Sequence, residues 1–99
     1  MNHKQKIKTI VTKWAKANDV QLTDTSFYTA KEWAVRNEEF GNAAIANMCT
    51  EDELYEALNY GTVCDIPLSR KGDTLQEALE KEGYWYEQGC AWMFNFYEL

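Results

Sequence analysis

The N-terminal segment has the hydrophobic period of an α-helix. Its apolar residues recur at i, i+3, i+4 and i+7, as Ile7, Ile10, Val11 and Trp14. This spacing places one apolar stripe of a helix over residues 2–18 against a core. Lys4, Lys6 and Lys8 lie at the N-terminal end of this helix, where the helix dipole disfavours cations. We therefore expect carboxylates from other segments nearby, and a solvated outer face for the rest of the helix.

The segment of residues 27–36 carries two competing patterns. Thr29 and Glu32 match a capping box, which opens helices. The ring-bearing and β-branched residues of the same segment alternate, which is typical of a strand. The turn signal at Gly41-Asn42, followed by a short apolar run, favours the strand. The sequence thus predicts a hairpin of two strands, at residues 27–36 and 43–49.

Two further helices are predicted from a shared signature, Thr followed three residues later by Glu. The two pairs are Thr50 with Glu53 and Thr74 with Glu77. In each pair the threonine would cap the helix and the glutamate would return a hydrogen bond to the threonine N–H. Gly61 is placed to end the first of these helices in the left-handed conformation, and Gly83 ends the second.

The C-terminal segment alternates with the period of a β-strand. One face carries Cys90, Trp92, Phe94 and Phe96, and the other carries Ala91, Met93, Asn95 and Tyr97. With Gln88-Gly89 as its turn, this pattern predicts a hairpin of residues 84–88 and 90–98. Both faces of the longer strand are apolar, so we expect it to be central, with Trp92, Phe94 and Phe96 buried.

Together these elements predict one α+β domain over residues 1–99. The C-terminal hairpin and the hairpin of residues 27–49 would form an antiparallel sheet, packed against two or three α-helices. A chain of 99 residues, 45% of them hydrophobic, supplies one core. Its 14 aromatic rings exceed what that core needs, so some should reach the surface.

Charge is distributed unevenly along the chain, whose net charge is −6. Five lysines and no acid precede Asp19, while all 16 acidic residues and the other five bases lie from Asp19 onward, so the two parts carry +5 and −11. The acidic balance and the presence of only two arginines predict no direct contact with nucleic acid. Without a signal-peptide or membrane-spanning pattern, and with three widely spaced cysteines, we expect a cytoplasmic protein that does not contact membranes.

Candidate catalytic and metal-binding residues are few. His3 is the only histidine, and its place near the terminus predicts fraying rather than a rigid nucleophile pair. Metal-ligand spacings such as C-x-x-C or H-x-x-x-H do not occur, and neither does a phosphate-binding glycine motif. Capping and dipole compensation account for the triplet Glu51-Asp52-Glu53. The sequence thus predicts no enzyme activity, no metal and no cofactor.

Binding to another protein is the function that the composition favours, since tyrosine and tryptophan among carboxylates are typical of interaction surfaces. We expect the partner to present a basic surface. The predicted contact residues are Glu38, Glu39, Glu51, Asp52, Tyr55 and Glu56.

In size and charge alone, the chain resembles acidic accessory proteins of phages and other mobile elements. Among these are inhibitors of host defence of the anti-CRISPR or anti-restriction type, some of which imitate nucleic acid. The alternative is a regulatory domain that binds a small ligand in an aromatic pocket between sheet and helices.

Overall fold

The computed structural model describes residues 2–36, 44–60 and 74–99. The elements are α1 His3–Ala17, β1 Thr25–Thr29, α2 Ala30–Arg36, β2 Ala46–Thr50, α3 Glu53–Tyr60, α4 Leu75–Glu80, β3 Tyr84–Cys90 and β4 Met93–Glu98. The four strands form one antiparallel sheet in the order β1-β2-β4-β3. The predicted α+β fold is therefore confirmed. The predicted turn at Gly41-Asn42 and the predicted helix end at Gly61 lie outside the described residues.

One face of the sheet packs against α1 and α4. The helical stripe predicted from the sequence is buried there, with Ile7 and Val11 fully enclosed. The central strand β4 contributes Phe94 and Phe96, which are 1% and 0% exposed, as predicted. Leu79 of α4 completes this side of the core. Burying such large side chains supplies most of the stability that a domain of this size has.

The N-terminal helix is fixed at its first turn. Asn2 caps it in a reciprocal capping box with Gln5. The expectation of a nearby carboxylate is confirmed for Lys4, whose Nζ lies 3.1 Å from Glu32 Oε1. The expectation that His3 frays is wrong, because its Nδ1 lies 2.9 Å from the Tyr84 hydroxyl oxygen. Its Nε2 also lies 3.5 Å from a carboxylate oxygen of Glu98, at the end of β4.

The predicted long strand at residues 27–36 is wrong in its second half. The chain pairs as a strand over Thr25–Thr29 and then forms α2. The helix begins at the capping box: Thr29 N–H donates to Glu32 Oε1, and Glu32 N–H donates to Thr29 Oγ1. Alternation at Trp33 and Val35 was misleading, because Trp33 is buried whereas Val35 is 86% exposed. Local capping therefore prevails over the strand-like composition.

The opposite side of the sheet is called here the second face; it carries Tyr28, Asn47, Cys49 and Asn95. Trp33 of α2 reaches this face, with its ring centroid 5.4 Å from that of Tyr28. Asn47 and Asn95 are buried directly opposite each other on β2 and β4. The Asn47 side-chain amide donates to Asn95 Oδ1 at 2.7 Å.

The C-terminal hairpin turns three residues later than predicted. The turn is formed by Ala91 and Trp92, whereas Gly89 lies in a bulge of β3. The Met93 side chain covers Gly89 so closely that a Cβ there would come within 2.9 Å of its sulfur. The predicted burial of Trp92 is consequently wrong, since this side chain lies in the turn and is 42% exposed. At Gly83 the φ of +88° fits the predicted glycine after α4.

Candidate functional site

The start of α3 is organised around the carboxylate of Asp52. The prediction that Thr50 caps this helix is wrong, because Thr50 is the buried last residue of β2. Asp52 precedes the helix instead, and its Oδ1 accepts from the Leu54 N–H at 2.9 Å. This is the bond that an aspartate at the capping position makes.

Four donors converge on this single carboxylate. Asp24 N–H and the Thr25 hydroxyl donate to Oδ2, each at 2.7 Å. The Thr50 hydroxyl and the Leu54 N–H donate to Oδ1, each at 2.9 Å. The two threonine oxygens also lie 2.8 Å apart. We call this arrangement the Asp52 cluster; it joins the segment before β1 to the end of β2 and the start of α3.

The Asp52 cluster favours the ionised carboxylate. Partial burial by itself would raise the pKa of Asp52. The hydrogen bonds from Thr25, Asp24, Thr50 and Leu54 outweigh that effect and hold the pKa below its ordinary value of 3.8. Hydrogen-bond donors within the fold thus satisfy the Asp52 carboxylate, which supports the interpretation of this acid as a capping and structural residue.

The other predicted contact residues have different environments. Glu51 and Glu56 are exposed, while Asp52 is turned into its cluster. Tyr55 is half-buried and already in contact with other residues. Glu38 and Glu39 lie outside the described residues.

The structure adds two acids to the exposed pair Glu51 and Glu56. Asp24 is adjacent because its carbonyl accepts from the Glu51 N–H at 3.1 Å. Glu53 lies at the start of α3, where its Oε1 accepts from the Gln21 N–H. We call Asp24, Glu51, Glu53 and Glu56 the acidic surface. Within the described part of the chain, no lysine or arginine nitrogen lies within ion-pairing distance of these four carboxylates.

A pocket of about 270 Å³ opens beside the acidic surface. Its walls come from the second face and from the segments around it. The lining residues are Asp24, Ser26, Tyr28, Arg36, Cys49, Glu51 and Trp92. We call it the second-face pocket.

Two groups in the second-face pocket have defined electrostatic states. The guanidinium carbon of Arg36 lies 5.2 Å from the centroid of the Tyr28 ring, in a cation–π contact. Burial raises the pKa of the Cys49 thiol in spite of the Arg36 charge. Because the thiolate is the reactive form, Cys49 is a poor nucleophile at neutral pH.

Trp92 is exposed, yet its backbone is held on two sides. The Thr50 N–H donates to the Trp92 carbonyl at 2.9 Å, continuing the pairing of β2 with β4. On the other side, the Asn59 amide of α3 donates to the Ala91 carbonyl at 2.8 Å, and Gln88 donates to Asn59 Oδ1 at 2.8 Å. The hairpin turn is therefore tied to α3, and the indole is presented from a fixed backbone.

A second cavity, of about 410 Å³, lies between α1 and β3. It is lined by Lys6, Thr9, Ile10, Lys13, Glu82 and Tyr84. Tyr84 is the one aromatic ring among these lining residues, whereas the second-face pocket is lined by both Tyr28 and Trp92.

Sequence reasoning missed several residues of this region, above all Asp24, Tyr28, Arg36 and Trp92. A signal existed for part of the Asp52 cluster, because an aspartate directly before a helix is a favoured acceptor for the first helix N–H groups. None existed for the pocket, whose walls are distant in sequence.

Across residues 2–36, 44–60 and 74–99, no group of three metal-ligating side chains is arranged to hold an ion. In the same ranges, no helix has the length and apolar content to cross a membrane. Comparison with known proteins finds no family, no curated protein and no solved structure that matches this chain.

Proposed function

We propose that this chain is a non-enzymatic module that binds a basic surface of another protein. The contact would be made by the acidic surface, Asp24, Glu51, Glu53 and Glu56, at the start of α3. Asp24 and Glu53, which are exposed, here replace Asp52 and Tyr55 of the sequence-based set, because Asp52 accepts four internal hydrogen bonds and Tyr55 is half-buried. It places the module in the cytoplasm, where Cys49 and Cys90 stay reduced; both are free thiols in the structure.

The observation that carries this proposal is a set of exposed carboxylates, on a rigid support, that form no ion pair with any lysine or arginine among the described residues. Hydrogen bonds from Asp24 N–H and Glu51 N–H fix the backbone on which two of the carboxylates stand. The Asp52 charge lies among them, partly buried and ionised. A fixed field of one sign steers an oppositely charged partner toward it and speeds association.

A surface with this charge competes best for a site that normally receives phosphates. The partner we propose is therefore a nucleic-acid-binding protein, as expected for an accessory protein that inhibits a host defence system. This part of the proposal predicts that DNA or RNA added to the complex displaces the module from its partner, since both would occupy the same basic site.

The test is a charge reversal with a matched control. In the variant Glu51→Lys/Glu56→Lys, the acidic surface loses its sign. In the control Glu80→Lys/Glu87→Lys, the same change in net charge is made at two exposed acids elsewhere. Each protein is immobilised and used to capture partners from a bacterial lysate, and captured proteins are quantified by mass spectrometry. A partner retained by the wild type and the control, but lost by the reversal, is the expected result.

Association and dissociation rates then distinguish electrostatic steering from the packing of the bound surfaces. For the captured partner, the reversal should slow association about tenfold at physiological ionic strength while changing dissociation less. The association rate of the wild type should fall as salt rises, because exposed charges are screened beyond about 8 Å at 0.15 M. Association that is indifferent to salt and to the reversal would contradict the proposal.

A further inference from the structure

The second-face pocket adjoins the acidic surface and differs from it in chemistry, because it adds aromatic walls and a concave shape. We infer that this pocket receives one cationic side chain, an arginine or a lysine, from the partner. The inference rests on the proposed function and identifies the chemistry at the centre of its interface. Three observations carry it: the charge of the lining, the distribution of the aromatic rings and the hydrogen bonds that hold the backbone at Trp92.

Charge is the first observation. The lining contains two carboxylates, Asp24 and Glu51, and one guanidinium, Arg36. Arg36 lies over Tyr28, near the end of β1, whereas Asp24 directly precedes β1. Glu51 directly follows Thr50, which pairs with the first residue of β1. The carboxylates thus stand at the opposite end of the pocket, next to the rest of the acidic surface. That end attracts a cation and repels an anion.

The aromatic rings define where such a cation would rest. Tyr28 is already occupied by the molecule's own guanidinium, which shows the kind of packing that this pocket supports. Trp92 is the second ring of the lining, and it is 42% exposed. A tryptophan face is the strongest aromatic partner for a cation, and nearby carboxylates add an ion pair.

Preorganisation is the third observation. Ordering a surface side chain on binding costs affinity, and a backbone held in advance reduces that cost. The turn that carries Trp92 is held by Thr50 on one side and by Asn59 on the other. The volume of about 270 Å³ is smaller than pockets for drug-sized ligands, roughly 300–1,000 Å³, and suits a single side chain. Tryptophan, tyrosine and arginine, which line this pocket together, are also the residues enriched at binding hot spots.

The experiment needs no partner, because blocked amino acids imitate its side chain. N-acetyl-arginine amide and N-acetyl-lysine amide are titrated into the protein and followed by chemical shifts of backbone amides and of the tryptophan indoles. N-acetyl-norleucine amide, which lacks the charge, and N-acetyl-aspartate amide, which reverses it, are the ligand controls. The Trp92 indole signal is assigned with Trp92→Phe.

Variants test the lining. Asp24→Asn/Glu51→Gln removes both carboxylates without changing side-chain size, and Glu80→Gln/Glu87→Gln is the control with equal change of charge. We expect the arginine and lysine derivatives to shift the Trp92 indole, and the first variant to weaken their binding at least fivefold while the control leaves it unchanged. Equal shifts from the norleucine derivative, tighter binding of the aspartate derivative, or no effect of Asp24→Asn/Glu51→Gln would overturn the inference.

Failure of this inference is distinguishable from failure of the proposed function. The variant Trp92→Leu removes the aromatic wall and leaves the acidic surface intact. With a captured partner, we expect it to weaken binding at least fivefold and to leave the salt dependence of association unchanged. Undiminished partner binding by Trp92→Leu would overturn the inference about the second-face pocket and leave the proposed role of the acidic surface unaffected. Conversely, the blocked amino acids test the pocket even if the lysate yields no partner.

Discussion

Residues 50–53 and 74–77 share the pattern Thr-x-x-Glu and form different structures. At Thr74 the capping box forms in full: its hydroxyl accepts from the Glu77 N–H, and Glu77 returns a bond to the Thr74 N–H. At Thr50 neither bond is made to Glu53. The Thr50 hydroxyl donates to Asp52 instead, and Glu53 accepts from Gln21.

The neighbours of each threonine explain the difference. Thr74 precedes α4 directly and is only half-buried, so its hydroxyl meets few competitors for the helix N–H groups. Thr50 is paired with Thr25 in the sheet and is fully buried. An ionised carboxylate two residues later accepts more strongly than a hydroxyl. In both regions the motif correctly predicts a helix. Which residue caps that helix depends on the hydrogen-bond partners that tertiary contacts bring to the threonine.

The largest expected difference in stability between the two regions comes from removing the carboxylate that accepts hydrogen bonds in each of them. Asp52→Ala removes the acceptor of four donors, two of them buried or half-buried hydroxyls, and should lower the free energy of unfolding by about 3 kcal/mol. Glu77→Ala removes one partner of an exposed capping box and should cost about 1 kcal/mol. Thermal or urea unfolding measures both. Equal costs would show that the Asp52 cluster stabilises the fold no more than an ordinary cap does.

A smaller effect is expected at the threonines. Thr50→Val keeps the shape of the side chain and should cost about 1.5 kcal/mol, because a bond to a charged acceptor is lost. Thr74→Val should cost about 1 kcal/mol as a lost cap. Double-mutant cycles with Asp52→Ala sharpen the comparison. Thr50 should couple to Asp52 by about 1 kcal/mol, whereas Thr74 should be additive with it. Additivity at Thr50 would contradict the cluster.

The smallest effect is a dependence on pH. Since the pKa of Asp52 is lower in the folded state than its ordinary value of 3.8, its stabilisation is present above that value and is lost as pH falls through the folded pKa. We expect the stability difference between wild type and Asp52→Asn to shrink as pH falls from about 5 to 2. Denaturant unfolding across this range measures it. A difference that is constant with pH would exclude the Asp52 charge as its source.

Some acid sensitivity should persist in Asp52→Asn. The Thr29 N–H and the Lys4 ammonium also lower the pKa of Glu32, in the capping box of α2. The free energy of unfolding should therefore fall at low pH in both proteins. The contribution of Asp52 is the difference between the two pH profiles.

Long periodic segments were predictable from the sequence because one periodicity dominates each of them. The stripe of α1 and the alternation that buries Phe94 and Phe96 needed no knowledge of distant residues. Short segments were not predictable in the same way. At Trp33, alternation and capping gave opposite predictions, and the capping bonds decided the outcome. At Trp92, a bulge around Gly89 shifted the turn, and a bulge has no distinct sequence pattern here.

Only the acidic character of the candidate site was predictable from the sequence. The acidic excess after Asp19 correctly indicated exposed carboxylates such as Glu51 and Glu56. Which acid turns inward depends on donors at the start of β1, Asp24 and Thr25, and spacing within one segment cannot reveal those. Likewise, the pocket walls come together only because β1, β2 and the final hairpin are neighbours in the sheet.

The buried amides of Asn47 and Asn95 bear on how the sheet selects its register. They lie on β2 and β4, strands that are neighbours in the sheet although α3, α4 and β3 separate them in the chain. Sliding β4 by two residues would keep every apolar side chain on its own face, so hydrophobicity alone barely opposes that error. The slip would instead place Asn47 opposite Met93 or Tyr97 and leave its amide unpaired, at a cost of about 1–3 kcal/mol. One polar pair thus marks the alignment for two strands that must find each other across half the chain.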